Sequence, residues 1–219
     1  MSTFIVHTIP GSPAARAVMA ALIEKGASFR VAGLRPGEHK MAPHLSRHPF
    51  GKMPVLEHGD FTLYETQAIL RYLDRILPSP PLVPQEPRQV ARMDQVVGIC
   101  DWYLFQGVDA VIGFHRIVGP RLMGLTPDEA AIAAAMPLAH AVFAELSRLL
   151  GNKHYLVSPR LSIADLMVAP HMDFLAQTPE WSALTQDRSN LIEWLARMNA
   201  LKCMQLTTWE AVAQLAKAA

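Results

Sequence analysis

The chain has 219 residues, enough for one large domain or two modest ones, and 51% of them are hydrophobic, which excludes a disordered composition. Its 20 basic and 19 acidic residues leave a formal charge of +1 with no long run of either sign, so generic attraction to nucleic acid or an anionic membrane is not expected. The two cysteines, Cys100 and Cys203, lie in apolar surroundings without CxxC or His/Cys metal spacing and read as buried free thiols, which suits the cytosol. The start "MSTFIVHTIPG" lacks the basic lead and apolar core of a secretory signal. No uncharged apolar stretch approaches the roughly 18 residues of a membrane span, so a soluble intracellular protein is expected.

In chain order, "FIVHT" (4–8) is apolar and β-branched and reads as an inner strand. After the Pro10-Gly11 turn, Ala17, Val18, Ala21 and Leu22 share one helical face, and Gly26 ends that helix. "SFRVAGL" (28–34) reads as a second strand, making a compact strand–helix–strand unit that should be parallel and right-handed. A loop rich in Pro, Gly and His follows. "PVLEHGDFTLYE" (54–65) is two short strands about His58-Gly59-Asp60, a hairpin, and Thr66 then opens a helix with Ile69, Leu70, Tyr72, Leu73 and Ile76 on its apolar face.

The stretch 77–87 holds five prolines, at 78, 80, 81, 84 and 87, and cannot continue a helix. It marks the domain boundary: residues 1–80 form an α/β domain of order βαβ-ββα, 81–88 a proline-rich linker, and 89–219 an all-helical domain. Beyond the linker the helical period predicts helices near 87–112, 127–150, 163–177, 189–199 and 204–217. "GFHRIVGPRLMG" (113–124) reads as an interruption between two of them.

Several residues invite a chemical reading. In "IPGSPAAR" (9–16), Ser12 stands at the mouth of the first helix, as a simple cap or as a hydroxyl that donates to a bound anion. Pro54 opens a strand, the place where a proline's missing N–H does no harm, and the trans isomer is the general expectation. It also follows a strand–helix–strand unit and precedes a hairpin, which is where thioredoxin-like folds place a cis-proline. Glu65 and Thr66 begin the next helix, either as a cap or as a receptor for a ligand carboxylate beside an acid that accepts from a ligand amine. That pairing suits a zwitterionic amino-acid end.

Other features read as structural. Arg16 lies one turn after Ser12 and could steady the site or be an ordinary surface or inter-domain arginine. Ser162 and Asp165 spell a capping-box variant before an apolar run. His44 and His48 are four apart but bracketed by Pro43 and Pro49, with no third ligand at a convincing spacing, so no metal is expected.

Taken together, "SPAAR…EKG", "GEHKMAPHLSRHPFGKMPVLEHGDFTLYETQAILRYL" and "LSIADLMVAP" resemble the cytosolic glutathione S-transferases, most closely the serine-type plant and bacterial classes, phi and theta among them. The resemblance covers both halves of the chain. It implies a thioredoxin-like glutathione-binding domain followed by a helical domain, glutathione as substrate without a metal, a hydrophobic small-molecule electrophile taken into a cleft between the domains, a cytoplasmic homodimer, and a detoxifying role. Counting back from Glu24-Lys25-Gly26 puts Ser12, rather than Gly11, in the slot whose hydroxyl hydrogen-bonds the glutathione sulfur. Met53 would pair its backbone with the cysteinyl unit before a cis-Pro54, Glu65 and Thr66 would hold the γ-glutamyl end, and His39, Lys40 and Lys52 would meet the glycyl carboxylate. Phe105, Phe114 and His115 would line the electrophile pocket. The same fold also carries glutathione-dependent isomerases, dehalogenases and peroxidases, and non-catalytic members that bind ligands or partner proteins; fold alone does not choose among them.

Overall fold

The computed structural model describes residues 3–217. In the first compact unit, strand β1 (Phe4–Thr8) leads into helix α1 (Pro13–Glu24) and parallel strand β2 (Phe29–Gly33). A single 3₁₀ turn (Glu38–Lys40) and the short helix α2 (Ala42–Leu45) lead to the hairpin β3 (Val55–His58) and β4 (Phe61–Tyr64), and then to helix α3 (Thr66–Ile76). The sheet order is β2-β1-β3-β4, with β1 antiparallel to β3 and β3 antiparallel to β4. This is the βαβ-ββα arrangement expected from the alternating periods of the sequence.

Val6, Val31, Val55 and Leu56 of the sheet are buried together with Val18, Met19 and Leu22 of α1 and Ile69, Leu70 and Leu73 of α3. A buried lysine ties the layer: Lys25 at the end of α1 donates to Asp74 Oδ1 and to the Pro80 carbonyl, each at 2.5 Å. The peptide bonds Met53–Pro54 and Ser79–Pro80 are both cis.

The second unit begins at Leu82, inside the proline-rich stretch, and runs to Asn199. Its first helix, α4 (Pro87–Met123), is continuous where an interruption at 113–124 was expected. From Cys100 to Val118 it is wound as a wide π helix, and the Gly119 N–H reaches back five residues to the Phe114 carbonyl. Pro120 falls in the first turn where α-helical winding resumes, a position that asks least of its missing N–H. The apparent breaker therefore marks a change of winding rather than an end.

Helix α5 (Glu129–Leu150) follows, then α6 (Ile163–Leu175), a short α7 (Trp181–Thr185) and α8 (Ser189–Asn199). By length and composition α4 and α5 are apolar enough to cross a membrane, a test that buried core helices also meet. They place Leu104, Val108, Ile112, Phe143 and Leu146 in the core of the helical unit.

The last segment departs from the sequence-drawn boundary. Helices α9 (Lys202–Gln205) and α10 (Trp209–Lys217) replace the single helix expected over 204–217, and the described residues from Ala200 onward pack with the first unit. Arg16 of α1 holds the Met204 carbonyl (3.0 Å) and the Thr207 hydroxyl (3.4 Å). Against β2, a Cβ on Gly33 would lie 2.8 Å from that of Ala216.

Candidate active site

The register of the sheet decides which residues meet. Thr8 pairs with Gly33, His7 with Val55, and Val55 with Tyr64. The C-terminal ends of β1, β2 and β4 and the start of β3 therefore lie at one end of the sheet. From that end emerge the turn to Ser12, the loop to His39 and Lys40, the Lys52–Met53–Pro54 segment, and the Glu65–Thr66 entry to α3. Seven of the eight residues singled out for a catalytic or glutathione-binding role flank it directly or through one short loop; Lys40 is placed there by its contact with the Phe50 carbonyl at 3.3 Å.

Ser12 is the N-cap of α1. Its backbone is extended, and its Oγ accepts the Ala15 N–H at 3.3 Å. That bond uses a lone pair and leaves the hydroxyl proton with no acceptor among the described residues. The residue is half-buried. Capping and donating are thus compatible roles for one hydroxyl.

Glu65 has φ 71° and ψ 114°, a region that costs a non-glycine residue about 1–3 kcal/mol. Its side chain is exposed and makes no cap bond to α3. Glu65 therefore does not satisfy the first turn of this eleven-residue helix, and its carboxylate lies by the positive end of the helix. A strained acid beside an uncapped helix end is an arrangement that local folding alone does not favour.

A group of histidines supports the opposite side. His44 on α2 is buried, and its Nε2 donates to the Lys52 carbonyl at 2.7 Å. His48 is also buried and stacks on Tyr64 at 4.4 Å. Burial lowers the pKa of His39 and of His48, and the neighbouring Lys40 and Lys52 add to the effect, with Glu65 opposing it at His48. Gly51 sits so close to this wall that a Cβ there would fall 2.8 Å from the His39 carbonyl. Behind it, Arg47 Nε (2.7 Å) and His7 Nε2 (3.1 Å) both meet Glu57 Oε1, bracing the short helix against the sheet. The sequence drew attention to His44 only as a possible metal ligand, and its bond to Lys52 carries no sequence signature. Among the described residues no group of three or more His, Cys, Asp or Glu is placed to hold a metal.

The residues expected to line an electrophile pocket have partners inside the helical unit. Phe105 packs on His171 with ring centres 5.5 Å apart. Phe114 meets His115 edge-on at 5.3 Å, and His115 Nδ1 accepts the Asp128 N–H at 3.3 Å, joining α4 to the start of α5.

Comparison with known proteins bears on the family and the fold. Residues 2–75 match the family model "Glutathione S-transferase, N-terminal domain" and residues 129–197 the model "Glutathione S-transferase, C-terminal domain". Glutathione S-transferase F7 of Arabidopsis thaliana is 30% identical over 191 residues, covering 85% of this chain and 90% of the relative. The chain belongs to the glutathione S-transferase family. Among solved structures, glutathione transferase F7 from Populus trichocarpa superposes with a TM-score of 0.83 at 25% identity, covering 98% of this chain and 99% of the other. A glutathione S-transferase-I described as bound with the ligand lactoylglutathione shares the fold, with a TM-score of 0.80 at 22% identity and 99% coverage of both chains. The relatives thus extend over both units of the transferase, and the polar end of its sheet lies within the matched N-terminal domain.

Proposed function

We propose that this enzyme joins glutathione to a hydrophobic electrophile, with Ser12 as the hydroxyl that stabilises the glutathione thiolate. The observation that carries the reading is the state of Ser12: one lone pair taken by the Ala15 N–H, and no acceptor for its proton among the described residues. The relatives of this chain make glutathione the natural partner for that proton.

A free thiol has a pKa of about 8.5, so only a few per cent is thiolate at neutral pH. A hydrogen bond to a charged acceptor contributes roughly 1.5–3 kcal/mol, and one pKa unit corresponds to about 1.4 kcal/mol. One serine donor at a helix N-terminus is therefore enough to lower the thiol by one to two units. The thiol gives its proton to solvent; the sulfur then forms a C–S bond to the electrophilic carbon while a leaving group such as halide departs with the bonding pair. Glutathione is the nucleophile, so Ser12 need never be deprotonated.

The remaining contacts follow the tripeptide. Glu65 accepts from its α-amino group, and Thr66 with the uncapped turn of α3 receives the γ-glutamyl carboxylate. Met53 offers its backbone to the cysteinyl unit ahead of cis-Pro54, with His44 holding the Lys52 carbonyl behind it. Lys40, Lys52 and His39 face the glycyl carboxylate. The helical unit supplies the apolar acceptor site, with Phe105, Phe114 and His115 as its candidate liners, and the working form is a cytoplasmic homodimer.

Titration calorimetry with glutathione tests the binding half of this reading. Wild type should bind it, and Glu65→Ala and Thr66→Ala should each weaken it about tenfold, the loss of one charge-assisted hydrogen bond. Unchanged affinity in both variants contradicts the assignment of the γ-glutamyl end.

A further inference from the structure

Beside the proposed thiol site lies a contact that the sequence pattern did not announce. Gly11, the residue before Ser12, has φ +87°. A Cβ on it would fall 2.1 Å from Cε3 and Cζ3 of Trp209 and 2.6 Å from Cδ2, so the indole ring of α10 lies flat against the Gly11 backbone. Only glycine satisfies both the left-handed backbone and the ring overhead.

The ring is fixed from both sides. Before it, the Thr207 hydroxyl is buried, donates to the Cys203 carbonyl at 2.7 Å and faces Arg16, one helical turn after Ser12. After it, Ala216 packs on Gly33 of β2, which is paired with Thr8, the residue that opens the Ile9–Ser12 turn. The C-terminal segment thus grips the turn through Gly11, the first turn of α1 through Arg16, and the strand pair beneath. The bonds on the hydroxyl side of the turn are long, with Ser12 N–H reaching the Ile9 carbonyl at 3.4 Å and the cap bond to Ala15 at 3.3 Å, while the Ser12 carbonyl is anchored in the helix by the Arg16 N–H at 2.9 Å. Upstream of that anchor the turn relies on the long bond to Ile9 and on the ring that covers Gly11.

We infer that Trp209 is a positioning residue for the thiol chemistry: its indole, laid on Gly11, holds the Gly11–Ser12 turn so that the Ser12 hydroxyl points at the thiolate. The assignment rests on the role proposed above for Ser12. The indole remains partly exposed, so its removal opens the turn without emptying a core.

The experiment compares wild type, Trp209→Ala and Trp209→Phe as full-length chains. It measures amide hydrogen exchange in residues 9–16 without ligand, the affinity for glutathione, and the thiol pKa of bound glutathione from thiolate absorbance. The expected result is exchange about tenfold faster in Trp209→Ala, a bound thiol pKa raised by about half a unit or more, glutathione affinity within about twofold of wild type, and recovery of both changed readouts in Trp209→Phe. Should Trp209→Ala unfold, Trp209→Leu, which keeps apolar bulk without the flat ring, decides the same question. Unchanged exchange and unchanged thiol pKa overturn the inference and leave Trp209 as packing. If wild type itself does not lower the thiol pKa, the reading of Ser12 fails, and the exchange arm alone decides whether Trp209 holds the turn.

Discussion

Two serines stand at helix starts in this chain and look alike in sequence, yet their surroundings are opposites. Ser162, at the start of α6, is buried, and its hydroxyl donates to Asp165 Oδ2 at 2.7 Å. The same carboxylate also accepts the Ser162 N–H (3.1 Å), the Leu156 N–H (2.8 Å) and the Trp194 indole N–H (3.1 Å). Every polar group there is matched inside the helical unit. Ser12 is half-buried, and its hydroxyl takes one long bond and keeps its proton available, at the same end of the sheet as the strained Glu65, which makes no cap bond to its helix. A saturated cap holds the fold together; an unsaturated one leaves hydrogen-bonding capacity for a ligand.

The difference is sharpened most by removing its saturated side. Asp165→Ala strands four donors in a buried site, each unmet donor costing about 1–3 kcal/mol, so stability should fall by about 4 kcal/mol or more in urea unfolding. Read from the sequence as a lost cap, the same change costs on the order of 1 kcal/mol or more.

A second buried pair in the helical unit gives the next effect. His171 Nδ1 lies 2.6 Å from Asp109 Oδ2, with Cys100 nearby; all three are buried. Burial works to lower the His171 pKa, but the Cys100 sulfur and the Asp109 carboxylate outweigh it, and the imidazole is pushed up to about 10. Its folded value exceeds the unfolded value of about 6.5, so this contribution is complete below pH 6.5 and is lost as pH rises towards 10. Asp109→Asn should cost about 3 kcal/mol at neutral pH and flatten that decline, as read from urea midpoints across the pH range.

Ser12→Ala should show the reverse of Asp165→Ala. Stability should change by about 1 kcal/mol or less, while turnover with an aromatic halide and glutathione should drop ten- to a hundredfold. A large stability loss with unaltered turnover would make the two serines equivalent. The smallest effect is expected at Glu65→Gly, which relieves the left-handed backbone and should gain up to about 1 kcal/mol while weakening glutathione.

Much of the first unit was legible. The β-branched runs, Gly26 and the His58-Gly59-Asp60 turn specify local geometry directly, so the sheet and its hairpin followed from short-range signals, whereas His39, Lys40, Lys52 and Met53 at its open end were singled out only through the family resemblance. What failed depended on distant partners. Gly113 and Gly119-Pro120 read as breakers because sequence shows their poor α-propensity, not the π winding that accommodates them. The apolar stripe after Lys202 announced a covered face but not its cover, so the segment was drawn with the helical domain instead of beside Gly11 and β2. The bond that His115 accepts from the Asp128 N–H likewise has no local signature in the sequence.

The central claim, that the Ser12 proton is reserved for a thiolate, is tested most directly by the pKa of glutathione's thiol when bound, followed by thiolate absorbance in wild type and Ser12→Ala. The account predicts a value one to two units below the ordinary thiol in wild type and a return to about 8.5 in the variant. The same pKa in both proteins would contradict it and reduce Ser12 to a helix cap.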